Sequence, residues 1–457
     1  MTHEALPTTI VDFASAQMDR LQVPGVSIGI WHEGTEFAGA LGVTNVDHPL
    51  PVTTQTLFQI GSTSKTFTAT AMMILAEQGK LDWDAPVRKY LPEFRLQSEE
   101  DAARARVWHL VTHVGGWVGD YFRDTGRGDD ALANMMLKLA NSAQLTPCGD
   151  VFSYNNAAFY IAGRVIEVVT GEPFEAAVGR LVFEPLGLKN TFFSQDDLVP
   201  YGCAVGHLVT AEGPRVTRPW RMSASAAPAG GIVSNVHDQL AYARFHLGDG
   251  HSESGAQILA AASLADMKRK RVDAGSMCDA FGLSWMLKQY GSLALVQHGG
   301  ATNGQMSAFV TVPAGNFADT ILTNADRGRE LHDRTIEAIL EHFLGEPIPR
   351  PVLLDTSAGS LSEYAGVYIP VGSEHHITVD DDGLVLQTHP GPAMLADGQV
   401  KALPPSPISL RFYDNDRVIG VSTAGLRSKG EFLRSPGGEI EWFRWGGRIA
   451  RKQATDA

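Results

Sequence analysis

Gly61-Ser62-Thr63-Ser64-Lys65 opens an apolar run that ends near Gly79, and the pattern of that run predicts a helix. Residues three apart on a helix share a face, so Lys65 is held beside the hydroxyl of Ser62. A neutral amine there can take the hydroxyl proton, and a helix N-terminus favours the negative charge developing close to Ser62. The pair has the makings of an activated nucleophile. Four residues with two fixed recur by chance in many chains, so the meaning of S-x-x-K rests on what accompanies it.

The chain that surrounds this stretch has 457 residues, longer than a single core usually grows, and two domains are expected. A hydrophobic fraction of 44% with 19% charged residues is ordinary for a soluble globular protein. No apolar run approaches the roughly eighteen residues of a membrane span, so no membrane partner is expected. Met1 to Asp12 carries polar and acidic residues where a secretory signal needs a basic start and an apolar segment, so a cytoplasmic protein is expected. Cys148, Cys203 and Cys278 are odd in number and far apart, which reads as free thiols rather than a disulfide framework or a C-x-x-C site. A formal net charge of −14 argues against nucleic-acid binding, which draws on clustered Lys and Arg.

Upstream of Ser62, Ile10 to Leu21 reads as a helix, Val26 to Trp31 as a strand, and Thr35 to Val43 as its returning partner. Gly25-Val26-Ser27-Ile28-Gly29 matches the G-x-S-x-G nucleophile elbow, but that device needs a strand before the serine and a helix directly after it. Here the strand pattern continues through Ser27, so the elbow is rejected. Downstream, His109 and His113 stand at i and i+4, without the following glutamate or the third ligand of a metal site, and hydrogen-bonding roles are expected. His113-Val114-Gly115-Gly116-Trp117 reads as a loop whose glycines let backbone approach a cavity. Helices are expected near Ala131 to Leu139 and from Ala157 to Val169, the second stopped by Gly171. Ala229-Gly230-Gly231-Ile232-Val233-Ser234 reads as a small-residue loop before a helix from His237 to Leu247. Strands follow at Phe281 to Met286, Leu293 to Gln297, Met306 to Val312 and Ala318 to Asn324, then a helix from Glu330 to Phe343.

Composition changes at Gly345-Glu346-Pro347-Ile348-Pro349-Arg350-Pro351, whose three closely spaced prolines make a stiff, extended linker. The expected division is a domain at 1–345, a Pro-rich linker at 346–355 and a small all-β domain at 356–457. Short strand-like runs separated by Asp, Gly and Pro, from Tyr364-Ala365-Gly366-Val367-Tyr368 to Glu441-Trp442-Phe443-Arg444-Trp445, argue for an antiparallel barrel or sandwich in the last of these.

Three elements line up along the chain: Ser62-x-x-Lys65, Tyr154-x-Asn156 and His298-Gly299-Gly300. Alone, each has a bland reading: a buried Tyr packs, an Asn at a helix start caps, and H-G-G turns. Together and in this order they are far more specific, and the chain resembles the penicillin-binding-protein and class C β-lactamase family of serine hydrolases over most of residues 10 to 345. The resemblance implies an α/β (α+β) β-lactamase/transpeptidase-like domain, with an antiparallel sheet flanked by helices. It also implies Ser62 as the acylated nucleophile, Lys65 as its activating partner, Tyr154 as the base that returns a proton to the leaving group, and Asn156 as an orienting amide. The backbone N–H groups of Ser62 and Ala301 would form an oxyanion hole, and Trp117, Gly230, Gly231, Gly299 and Gly300 would line the substrate site. No cofactor and no metal are implied. Where β-lactamases of the family carry a lysine, this chain has His298, which is similar to the esterase and D-aminopeptidase branches.

The carboxy-terminal domain resembles the lipocalin-like barrel of some peptidases and of stand-alone thioesterases that cyclise nonribosomal peptides. In Trp442-Phe443-Arg444-Trp445-Gly446-Gly447-Arg448, either Arg444 or Arg448 is expected to meet a substrate carboxylate or carbonyl. The function expected is a serine hydrolase acting on a peptide, amide or ester, with D-amino-acid substrates preferred by resemblance. An acyltransferase or macrocyclase using the same acyl-enzyme is the alternative, and a catalytically silent binding protein is the alternative of another class. A small molecule or peptide is the expected partner.

Overall fold

The computed structural model describes residues 2–193, 196–347, 351–354, 361–370, 372–380, 383–390, 407–422 and 425–454. They form two compact units. One comprises Met1–Asp150, Asn155–Val272 and Ala280–Ile348, and the other Val151–Tyr154, Asp273–Asp279 and Pro349–Ala457. Of the expected linker, residues 348–350 and 355 lie outside the described residues.

Twelve strands of the first unit are β1 (Thr2–Ala5), β2 (Gly25–His32), β3 (Thr35–Gly42), β4 (Phe58–Gln59), β5 (His207–Thr210), β6 (Gly213–Val216), β7 (Val233–Ser234), β8 (Ala280–Phe281), β9 (Met286–Tyr290), β10 (Leu293–Ala301), β11 (Met306–Val312) and β12 (Phe317–Thr323). Eight of them form one sheet in the order β1-β3-β2-β12-β11-β10-β9-β8. Every neighbouring pair is antiparallel except the edge pair β1 and β3, which is parallel. The strands alternate their apolar residues between two cores. Val310 and Val312 join Ile28, Ile321 and the inner faces of the helices Thr8–Leu21 and Gly328–Leu344, while Phe309, Ala318 and Leu322 join the larger helical body on the other side. Ser27 is fully buried in mid-strand, opposite Ala40 on β3 and Leu322 on β12, so it occupies no elbow.

The helix Ser64–Glu77 runs through that helical body, with every residue from Ser64 to Leu75 buried. That matches its sequence, which is apolar or small on all sides rather than on one stripe. Gly61–Thr63 form a separate 3₁₀ turn ahead of it, so Ser62 precedes the α-helix and does not lie within it. The helix Ala157–Thr170 ends where Gly171 takes a left-handed conformation at φ 73°, the C-terminal stop expected of glycine there. The strand expected at Leu293 to Gln297 runs on to Ala301, so His298-Gly299-Gly300 lies on β10, while the one expected at Phe281 to Met286 is divided between the end of β8 and the start of β9. The small-residue stretch, expected as a loop, is a short helix, Ala227–Gly230, followed by β7, which pairs with β4 immediately before the Ser62 turn.

The second unit contains a closed antiparallel barrel of β13 (Gly366–Ile369), β14 (Ser373–Asp380), β15 (Gly383–Pro390), β16 (Ile408–Asp414), β17 (Arg417–Ser422), β18 (Gly425–Arg434), β19 (Ile440–Trp445) and β20 (Arg448–Lys452). Pairing of Tyr368 on β13 with Lys452 on β20 closes the circle, so no open strand edge remains. Tyr368, Leu386, Phe412, Phe432 and Phe443 fill its interior. No helix among the described residues is long and apolar enough to cross a membrane.

Candidate active site

Lys65 has no exposed surface, and its Nζ lies 3.0 Å from Ser62 Oγ and donates a 2.6 Å hydrogen bond to the carbonyl of Ala229. Burying an amine is costly unless its protons are satisfied, and the Ala227–Ile232 stretch supplies the acceptor. The same stretch grips the helix head elsewhere. Thr68 Oγ1 donates to the Pro228 carbonyl at 2.8 Å, Ser64 Oγ accepts from the Ile232 N–H at 3.1 Å, and the Ile60 N–H donates to the Ile232 carbonyl at 3.0 Å. Of the two glycines in this stretch, packing demands the small residue at Gly231. A Cβ on Gly230 would sit 3.1 Å from Met222 Cε and 3.6 Å from Gly61, and one on Gly231 would sit 2.7 Å from Ala227 Cα. Ser62 itself is half-buried.

Strand β10 lies directly against the serine turn. A Cβ on Gly300 would fall 1.9 Å from the Ile60 carbonyl oxygen and 2.7 Å from Ser62 N, and one on Gly61 would fall 2.7 Å from Ala301 N. Only glycine at both places lets the two backbones abut. Ser307 on β11 fastens them: its Oγ donates to the Ile60 carbonyl at 2.7 Å and lies 2.9 Å from Thr63 Oγ1. No sequence signal marks Ser307, which reads as one more small residue in a buried strand.

His298 is 1% exposed, and its Nδ1 donates to the Gly299 carbonyl at 2.7 Å. Burial, reinforced by the nearby Lys65 charge, pushes its pKa down to about 3, so the imidazole is neutral at physiological pH. Strand β10 therefore carries no cation at residue 298.

Asn156 precedes the helix Ala157–Thr170 and donates from Nδ2 to Asp120 Oδ1 at 2.7 Å. Asn155 Nδ2 donates to the Trp117 carbonyl at 2.9 Å, and the Ala157 N–H donates to the Gly119 carbonyl at 2.9 Å, so three contacts staple residues 117–120 to the helix start. Phe159, on the first turn of that helix, has its ring 5.3 Å from Lys65 Nζ. The sequence did not single out Asp120. Trp117 is 1% exposed and packs edge-on against Phe94, which makes its side chain part of the core. The two histidines of the 109–113 stretch serve separate hydrogen bonds. His109 Nδ1 accepts from the Arg106 N–H at 3.1 Å, and His113 Nδ1 accepts from the Asn155 N–H at 2.9 Å. Burial, aided by Arg106, pushes the His109 pKa down to about 4. Among the described residues, no three His, Cys, Asp or Glu side chains gather as metal ligands.

Tyr154 and both arginine candidates belong to the second unit. Tyr154 is 5% exposed, its N–H donates to the Gly447 carbonyl at 2.8 Å, and the Arg448 guanidinium lies 4.6 Å from its ring centroid. Arg444 is buried and paired with the buried carboxylate of Glu431, so its charge is committed to the barrel.

A hydroxyl within hydrogen-bond reach of a buried amine, beside a strand end whose backbone abuts its own N–H, is an arrangement suited to attack on an acyl carbon. The family profile described as Beta-lactamase matches residues 10–343. Penicillin-binding protein 4 of Amycolatopsis lactamdurans is 32% identical over 359 residues, spanning 75% of this chain and 94% of that protein. The unguisins hydrolase ungD' of Aspergillus campestris is 25% identical over 334 residues, 69% of this chain and 61% of that protein. The crystal structure of SurE superposes with a TM-score of 0.74 at 25% identity, covering 98% of this chain and 99% of that one. A profile match across most of the chain, and a relative this similar over nearly its whole length, place the chain in the Beta-lactamase family of serine hydrolases.

Proposed function

We propose that the chain is an acyl-enzyme-forming serine hydrolase that cleaves a peptide, amide or ester bond, with substrates containing D-amino acids preferred. The observation that carries this reading is the 3.0 Å approach of Lys65 Nζ to the half-buried Ser62 Oγ. In the proposed sequence Ser62 Oγ attacks the acyl carbon as its proton is taken by the base, Lys65 or Tyr154. The tetrahedral oxyanion is met by the N–H groups of Ser62 and Ala301. Tyr154 then protonates the leaving group, and water releases the acyl chain from Ser62. Asn156, held by Asp120, is assigned the orientation of the substrate amide. The abutting backbones at Gly61 and Gly300 support the oxyanion assignment, because they set the two N–H groups on neighbouring segments.

The neutral His298 supports a substrate other than a β-lactam, since the strand offers no ammonium to a ring carboxylate. The relative named as an unguisins hydrolase supports hydrolysis, and the resemblance to the D-aminopeptidase branch supports a peptide.

Intact-mass measurement after incubation with a reactive aryl ester, a β-lactam and a D-aminoacyl ester tests the reading. The expected result is an adduct or turnover with the aryl and D-aminoacyl esters that is lost, by about 10⁴-fold or more, in Ser62→Ala. No Ser62-dependent adduct with any of the three would overturn it and leave the binding-protein reading. With a peptide thioester, linear product marks hydrolysis, whereas cyclic product marks transfer to an amine.

A further inference from the structure

The proposed mechanism needs a tyrosine held in one orientation, yet Tyr154 lies on a short segment, Val151–Tyr154, that is grouped with the barrel and not with the residues that follow it. All three residues before Asn155 are engaged by one pair of barrel strands and the turn joining them. Phe152 has its ring 5.8 Å from the Arg444 guanidinium on β19. Ser153 Oγ accepts from the Ile449 N–H on β20 at 3.4 Å. Tyr154 donates its own N–H to the Gly447 carbonyl at 2.8 Å and presents its ring to Arg448 at 4.6 Å.

We propose that the Gly446-Gly447-Arg448 turn of the barrel is a positioning element for Tyr154, with Gly447 fixing its backbone and Arg448 fixing the plane of its ring. This rests on the reading of Tyr154 as the proton-transfer group. The turn is shaped for the task. Gly446 and Gly447 both have positive φ, 55° and 80°, which glycine adopts at little cost. A Cβ on Gly447 would fall 2.5 Å from Met277 Sδ and, at ordinary contact distance, 3.5 Å from Tyr154 Cβ, so residue 447 lies directly against the tyrosine. Arg448 Nη1 donates to the Gly446 carbonyl at 2.9 Å, which anchors the guanidinium to the turn. A planar cation above a ring face is attracted by the ring quadrupole and resists rotation of the ring away from it. In this scheme the turn acts through Tyr154, the residue it holds. Arg448 is a positioning residue.

The test uses the full chain with Arg448→Met, Arg448→Lys and Arg448→Gln, each alone and combined with Tyr154→Phe. In single-turnover acylation by a saturating aryl ester, Arg448→Met is expected to slow the step about 10- to 100-fold, with KM changed by about 2-fold or less. Arg448→Lys, which keeps a cation, restores most of the rate. In the Tyr154→Phe background Arg448→Met has no further effect, because nothing is left to orient. An equal loss in both backgrounds, or no loss in either, overturns the proposal. A second readout stands apart from activity. In protein labelled with fluorotyrosine, the Tyr154 resonance, assigned by its disappearance in Tyr154→Phe, is expected to move and broaden in Arg448→Met and not in Arg448→Lys. An unmoved line overturns the proposal even where Ser62 is never acylated, whereas a missing Ser62 adduct with a moved line overturns only the function proposed above. If Arg448→Met fails to fold, Arg448→Gln takes its place in both measurements.

Discussion

His298 shows how one side chain bears on substrate choice and pH response together. Its burial against strand β11 and the proximity of Lys65 hold its pKa near 3, far below the ordinary 6.5. A base whose pKa is depressed by folding binds its proton more tightly in the unfolded chain. The stability it contributes is complete above the unfolded value and is lost as pH falls from about 6.5 toward about 3. Two consequences follow at this residue. Nitrogen-detected NMR of histidine-labelled protein is expected to show a His298 imidazole that stays neutral between about pH 8 and pH 5, where an unperturbed histidine titrates. A midpoint close to the ordinary value would refute the assignment and put a cation back on the strand. The acidic limb of any rate profile must then come from another group. The sequence marked His298 through the H-G-G pattern, but its neutrality was not legible there, because neutrality comes from the neighbours that cover the ring.

Among the elements, the junction of the 3₁₀ turn Gly61–Thr63 with strand β10 leaves no room for a side chain at Gly61 or Gly300. The apolar run after Ser62 correctly signalled a helix. The turn ahead of it was missed because its geometry is set by β10 and Ser307 across a long sequence separation, and not by local propensity. In the same way His298-Gly299-Gly300 carries turn-forming residues yet forms a strand, since pairing with Phe309, Ala308 and Ser307 on β11 overrides local preference. Gly300→Ala tests the junction. Its new Cβ would meet backbone atoms, the Ile60 carbonyl at 1.9 Å and Ser62 N at 2.7 Å, which cannot swing aside as a flexible side chain can. The expected cost is about 1–3 kcal/mol of stability. Because the displaced segment carries Ser62, acylation is expected to fall by about 100-fold or more in protein that remains folded. Circular-dichroism melts and single-turnover mass spectrometry on the same preparation separate the two effects, and unchanged acylation in a destabilised protein would detach the junction from the chemistry.

At the scale of the molecule, the motifs and their order were readable because each is local, and so was the all-β character of the C-terminal region. The sheet order was not. Pairing β2 with β12 joins Gly29 to Thr320, a contact that no local pattern announces, and closure of the barrel through β13 and β20 is equally remote in sequence. Nor could the sequence say which arginine of Trp442 to Arg448 the barrel keeps for itself. Arg444 and Glu431 are each 5% exposed and form an ion pair, with Arg417 Nε 3.6 Å from the other carboxylate oxygen. Burial, with the Arg417 charge beside it, pulls the Arg444 pKa down to about 10, so the guanidinium stays charged at neutral pH. Removing one member of such a pair strands the other charge in the interior, typically at about 3–5 kcal/mol, whereas replacing both is far better tolerated. Since each unit has its own hydrophobic core, calorimetry is expected to resolve separate transitions. Arg444→Met should lower the one belonging to the barrel, by somewhat less than that full cost because Arg417 remains beside Glu431. The double variant Arg444→Met with Glu431→Gln should recover much of the loss. An Arg444→Met protein with an unshifted barrel transition and a raised KM would instead return Arg444 to the substrate, and the ion pair would lose its structural role.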